Sequence, residues 1–282
     1  MKMNILTFDI EDWYNCDFIS EDFDWDKWEF RIPVVLYPIL DELDRRGLKA
    51  TFFCLGWVAE KHPEVIKEIN ARGHQIGCHS YQHELSSRFS PEEFVEDTVK
   101  AKELIEDIVG EEIDCFRAPG FSITVNNTWA IDKLVEMGFK YDSSVFPAHH
   151  DYGGMPHYGK SEPAILRTSS GNEIKEFPVN IHSILGKHIV YSGGGFFRFF
   201  PYWMIKKWAL RSEYVMTYFH PRDFDTEQPK VQGLPLMRQF KSYVGIDGAW
   251  KKWNQLLDDF QFVNIEQADN VINWENTRVV VL

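Results

Sequence analysis

A chain of 282 residues, 44% of them hydrophobic, is long enough to bury one large core or two small ones. Its formal net charge of −13 argues against nucleic acid or an anionic membrane surface as a partner, because like charge repels at long range. Aromatic residues make up 15%, with 10 Trp and 22 Phe, a share that serves core filling first and stacking on sugar faces second.

The chain enters a strand within a few residues, without a basic n-region, an apolar h-region or a small-residue cleavage site, which predicts a cytoplasmic protein. No apolar run approaches the roughly 20 residues needed to span a bilayer. Cys16, Cys54, Cys78 and Cys115 show no CxxC pair, so free buried thiols are expected. The run Asn4 to Phe8 reads as a buried strand, and it ends in three carboxylates, Asp9, Glu11 and Asp12. At the C-terminal end of a strand in an α/β protein such a cluster faces a ligand crevice, where a bound cation relieves the repulsion; a solvated turn is the alternative.

Pro33 to Gly47 predicts a helix closed by a C-cap glycine, followed by a strand from Lys49 to Phe53. A helix from Ala59 to Gly73 leads to a strand from His74 to Cys78 and then to "HSYQH". Ser90, Pro91 and Glu93 supply an N-cap, an N1 proline and an N3 acid for a helix reaching about Gly110. The strand and loop "DCFRAPG", a helix from Asn127 to Gly138 and "FKYDSS" come next. After Pro147 the stretch "AHHDYGGMPHYGKSEP" is an irregular excursion, followed by strand-like "NEIKEFPV", a glycine run, a helix from Tyr202 to Arg211 and the strand "YVMTYFH". A helix near Ala249 to Phe260, a short strand "FVNI", a further helix and the tail "RVVVL" complete the chain. Strands alternating with amphipathic segments predict βα units around a parallel sheet or barrel. With no linker and no repeat, the expectation is a single domain over 1–282 with an inserted loop and hairpin near 147–200.

His79 and His83 stand at i and i+4, which on a helix brings both imidazoles to one face at metal-ligand spacing. In a chain with 10 His such a pair is as readily surface decoration, but this one follows a strand end, as the Asp9 cluster does. Two imidazoles plus one carboxylate with an open position is the catalytic-zinc pattern. Arg117, at a third strand end, is placed to pair with a carboxylate and hold it ionised, or else to form a surface salt bridge. His220, at a fourth, is either an acid near neutral pH aimed into the crevice or a satisfied histidine at a sheet edge. The glycine run 193–195 reads as a hairpin where substrate approaches the backbone, with Phe196, Phe197, Phe199 and Trp203 flooring a sugar site or filling the core.

In order and spacing, "TFDIED", "HSYQH", "RAPG" and "YFH" resemble the motifs of the polysaccharide deacetylases with NodB homology, carbohydrate esterase family 4, over nearly the whole chain. More narrowly, "GFKYDSS", "EFPV", "GGGFFRFFPYW" and "YFHPRDFD" are similar to a subgroup tied to bacterial exopolysaccharide and O-antigen gene clusters. The resemblance implies an α/β fold, a distorted (β/α) barrel of NodB type, and a metal-dependent hydrolase removing an N-acetyl group from an amino sugar of a surface polysaccharide or its precursor. It implies Asp9 as catalytic base, Arg117 orienting it, His220 as general acid, and His79 and His83 as metal-binding imidazoles. Ile10 stands where the common motif has its second Asp, so the metal carboxylate is Asp12 or Glu11, with the shorter Asp12 preferred. The implied cofactor is one divalent ion, zinc first, with cobalt or another transition metal as the alternative. Pro119, Gly194, Phe197 and Trp203 would contact the N-acetylated saccharide. The family's acid that tunes the histidine is not cleanly present, Asp142 being the candidate, and Arg222 and Asp223 stand where the subgroup has Trp and Glu. The same site would serve deformylation of an amino sugar on a lipid carrier; a metal-free carbohydrate-binding relic is the rival of another class.

Overall fold

The computed structural model describes residues 2–15, 23–149, 152, 154–184 and 186–282. The opening apolar run forms two short strands, β1 (Met3–Ile5) and β2 (Thr7–Ile10). Helix α1 (Ile32–Arg46) buries Ile32, Val35, Leu36, Ile39, Leu40 and Leu43, the spacing of one helical face, and stops at Gly47 in the left-handed conformation, φ 65°. After β3 (Thr51–Cys54) the expected single helix is two, α2 (Gly56–Lys61) and α3 (Pro63–Ala71). Pro63 lacks an N–H and its ring drives His62 out of helical geometry, to φ −136°.

Strand β4 (Gln75–Cys78) precedes α4 (Pro91–Val109), which has the expected capping box between Ser90 and Glu93 and the expected glycine cap at Gly110. Then come β5 (Cys115–Phe116), α5 (Trp129–Glu136), β6 (Tyr141–Asp142), β7 (Ala164–Arg167) and β8 (Glu173–Glu176). The hairpin β9 (His182–Ile184) and β10 (Lys187–Ile189) follows, then α6 (Gly194–Phe199), α7 (Tyr202–Arg211) and β11 (Tyr214–Met216). The chain closes with α8 (Leu236–Tyr243), α9 (Ala249–Asp259), α10 (Ile265–Asp269) and β12 (Val279–Val281).

The principal sheet runs β12-β7-β8-β6-β5-β4-β3-β2 and is parallel except between β7 and β8. Beyond β2, the segment after β11 joins through a single bridge from Phe8 to Phe219, while β1 pairs with β11 itself. Among the described residues this is an open α/β barrel wall, distorted and not closed. Because β2, β4 and β5 run parallel, the chain leaves all three on one side of the sheet, and His220 follows the Phe219 bridge on that side too. Beneath it Phe8 stacks on Phe52 at 5.0 Å and meets Phe219 and Trp253 in the core.

Two further expectations change. The glycine run is no hairpin, since Gly194 opens α6. Gly193 is needed because a Cβ there would lie 2.0 Å from the Tyr218 carbonyl oxygen, where the two backbones bridge. "FVNI" contributes only a bridge from Val263 to Ile5. Cys54, Cys78 and Cys115 are free and buried, and Cys16 lies outside the described residues.

Candidate active site

Asp9 and Glu11 leave the end of β2 fully buried but differently partnered. Asp9 Oδ1 accepts from Arg117 Nη1 at 2.6 Å. Arg117 is itself buried, donates to Thr7 Oγ1 and to the hydroxyl and carbonyl of Ser143, and lies 4.1 Å above the Phe53 ring. Four donated bonds fix this guanidinium, and it in turn orients Asp9.

Glu11 turns to the imidazoles. Its Oε2 lies 2.5 Å from His83 Nε2, and donor atoms of Glu11, His79 and His83 fall within 4.8 Å of one another. The structure thus sets Glu11 beside the histidines, and Asp12, the carboxylate preferred on side-chain length, elsewhere. Asp12 accepts from the backbone N–H of its neighbour Trp13 and from those of Arg31 and Ile32, amides at the start of α1 that have no partner within the helix. Burial raises its pKa to about 6 against those three bonds. Asp12→Ala should therefore lower stability by about 1–2 kcal/mol in chemical denaturation without changing any bound metal.

The two histidines meet, with ring centroids 5.2 Å apart, though not on a helix. Residues 79–83 form a loop in which Ser80 and His83 take left-handed backbone angles, φ 66° and 57°. The loop is held from both sides. Gly56 and Trp57 at the start of α2 donate to the carbonyls of Ser80 and Tyr81, and Asp97 on α4 accepts from the N–H groups of Tyr81 and Gln82. Nδ1 of His79 is 2.7 Å from the Arg117 carbonyl oxygen, a donated bond that leaves Nε2 as the free ligand atom. Burial depresses this imidazole to about 4, so it is neutral at pH 7, as a metal ligand must be.

His220 Nε2 lies 3.8 Å from Asp9 Oδ2 and 3.5 Å from Glu11 Oε1. Its Nδ1 is 3.0 Å from Asp223 Oδ2, and Asp223 Oδ1 is 3.0 Å from Arg198 Nε. Burial opposes charge on the imidazole, but Glu11 and then Asp223 outweigh it and raise its pKa. Arg198 and then His220 hold the Asp223 carboxyl down at about 2 despite its burial. The acid beside His220 is therefore Asp223. Asp142 is fully buried, accepts from Ser144 and pairs in register with Glu176 on β8. The signal for Asp223 was present in "HPRD": a proline-started turn returns the residue at i+3 to its cap, and Asp223 Oδ2 accepts from the His220 N–H.

Asp9, Glu11, His79, His83 and His220 line a cavity of about 330 Å³ together with Phe121, Phe146, Tyr218, Arg222 and Lys241. Of the four residues expected against the saccharide, none is among those lining it. Pro119 is buried beside Gly120, which does line it; Gly194 is buried at the start of α6; Phe197 packs against Phe219 in the core; and Trp203 is exposed on α7. The α6 ring that does reach the cavity is Phe196.

Residues 2–141 match the family described as Polysaccharide deacetylase, and residues 143–270 match Domain of unknown function (DUF3473). A peptidoglycan-N-acetylglucosamine deacetylase of Bacillus cereus is 32% identical over 119 residues, 42% of this chain and 44% of its own. A peptidoglycan deacetylase of Helicobacter pylori is 32% identical over 112 residues, 39% of this chain and 36% of its own. The chain thus spans less than half the length of these relatives. A Mycobacterium smegmatis structure assigned as a polysaccharide deacetylase superposes with a TM-score of 0.68 at 18% identity, covering 99% of this chain and 93% of that one, a likeness of fold. With Asp9, Glu11, His79, His83 and Arg117 all inside the matched region, residues 2–141 carry a domain of the polysaccharide deacetylase family.

Proposed function

We propose that the protein is a metal-dependent N-deacetylase acting on an N-acetylated amino sugar. The observation that carries this is one buried spot holding two carboxylates of separate allegiance, Glu11 with the imidazole pair and Asp9 with Arg117. A divalent ion fits the first of them. Glu11 Oε2 faces the His83 imidazole, His83 Nδ1 is buried without a hydrogen-bond partner, His79 keeps Nε2 free, and a two-nitrogen, one-oxygen set suits zinc, with cobalt as the alternative. Held by Glu11, His79 and His83, the ion would polarise the acyl oxygen and make a water acidic near neutral pH.

The remaining chemistry belongs to the chain. Asp9, fixed by Arg117, accepts the proton of the attacking water at Oδ2. His220, charged through Glu11 and Asp223, donates from Nε2 to the departing amine, while Arg198 keeps Asp223 ionised so that Nδ1 stays protonated. Phe121, Phe146 and Phe196 give the cavity apolar walls that suit a sugar face and an acetyl methyl.

The relatives named above act on peptidoglycan, and the motif similarity to the exopolysaccharide and O-antigen group supports a bacterial surface glycan or its precursor as substrate. The buried free thiols suit a reducing compartment, the cytoplasm. Acetate release from a panel of N-acetylated oligosaccharides, lost on dialysis against chelator and restored by zinc or cobalt, tests the proposal; undiminished release without metal would refute it. His220→Ala should slow amide substrates by roughly 10² or more while barely affecting activated esters, whose leaving groups depart without a proton. Equal losses on both would make His220 a positioning residue.

A further inference from the structure

We infer that the face built by α6, α7 and α8 docks on an anionic phospholipid surface and brings the cavity mouth to the membrane. Residues 193–212 and 228–246 contain seven Lys or Arg and no Asp or Glu, in a chain with 43 acidic and 30 basic residues. The same two segments expose Phe199, Trp203, Leu210, Leu236, Met237 and Phe240. Helix α8 buries none of its residues, and Leu236 at its start is 84% exposed.

Helices α6 and α8 form one surface, and α7 follows α6 after only Phe200 and Pro201. The Phe199 and Phe240 rings touch at 5.4 Å, and a Cβ on Gly195 would lie 2.7 Å from the Lys241 carbonyl oxygen, so the backbones of α6 and α8 are in close approach. Arg198 points inward and ties them, donating to the carbonyls of Lys241, Ser242 and Val244. Lys207, Arg211, Lys230 and Lys241 are exposed in the same segments, and Lys206 pairs with Asp259. Exposed Trp, Phe and Leu interspersed with Lys and Arg is the composition of an interfacial helix face, in which rings enter the headgroup boundary and cations meet lipid phosphates.

The net charge does not forbid this. Screening limits the reach of the remaining acids to about 8 Å at physiological salt, so the patch in contact governs adhesion. A second copy is a poorer occupant, because a two-fold interface would set this basic face against itself. Phe196 and Lys241 belong to these same elements and also line the cavity, so a saccharide anchored in the bilayer would find the site at its own level.

Co-sedimentation of the full chain with vesicles tests the inference and needs no turnover, so its outcome is independent of the proposed activity. Vesicles of phosphatidylglycerol mixed with phosphatidylcholine should bind at least tenfold more protein than phosphatidylcholine alone, and binding should fall as salt rises. Leu236→Glu with Met237→Glu, and separately Lys207→Glu with Arg211→Glu, should each lower vesicle binding by roughly tenfold while the circular dichroism spectrum is unchanged. Absence of binding by the folded wild-type protein, equal binding to both vesicle types, or a dimer abolished by the Leu236 and Met237 changes in place of vesicle binding would overturn it.

Discussion

Asp9→Asn is expected to lower acetate release by roughly 10² to 10⁴ while leaving the metal content unchanged, the loss typical of a positioned general base. The substitution is nearly isosteric, and its amide oxygen still accepts from Arg117 Nη1, so the buried guanidinium keeps a partner. What disappears is the basic oxygen 3.8 Å from His220 Nε2. Asp9→Ala, by contrast, strands a fully buried arginine and should cost about 3–5 kcal/mol of stability. Rate and metal content measured on the same Asp9→Asn preparation decide the point. Retention of more than a tenth of the activity, or loss of metal, would remove Asp9 from the role of base.

Glu11→Gln and His79→Ala should each lose the metal and at least about 10³ of the rate, because a bound cation supplies several kcal/mol at the developing oxyanion. Asp12→Asn is the control that separates two adjacent acids. Its carboxylate faces the Trp13 N–H and two backbone N–H groups at the start of α1, so the variant should keep its metal and lose only part of the helix cap. Metal per chain, measured by atomic emission after gel filtration in zinc, reads the outcome. A Glu11→Gln protein that retains zinc beside an Asp12→Asn protein that loses it would reverse the assignment.

Local interactions were legible in the linear chain, since they act over a few residues and leave a pattern there. Ser90, Pro91 and Glu93 spell a helix start and Gly47 and Gly110 spell helix ends, each a backbone hydrogen-bonding requirement met by neighbours. The strand ends at Asp9, Cys78 and Phe116 were legible too, and with a parallel sheet they suffice to bring carboxylate, imidazoles and guanidinium to one side. Three things waited for the fold. Which of two adjacent acids turns to His79 and His83 depends on α1, whose first amides lie 19 and 20 residues further on and take Asp12. The histidine pair meets in a loop with two left-handed residues, held by Asp97 from another helix, where the spacing alone suggested a helical face. Arg198, 25 residues before Asp223, reaches it only because α6 returns to the end of the sheet, and no spacing rule predicts a buried ion pair across that distance. Net charge is likewise a property of the whole chain, whereas a basic, apolar face exists only once α6 and α8 pack side by side.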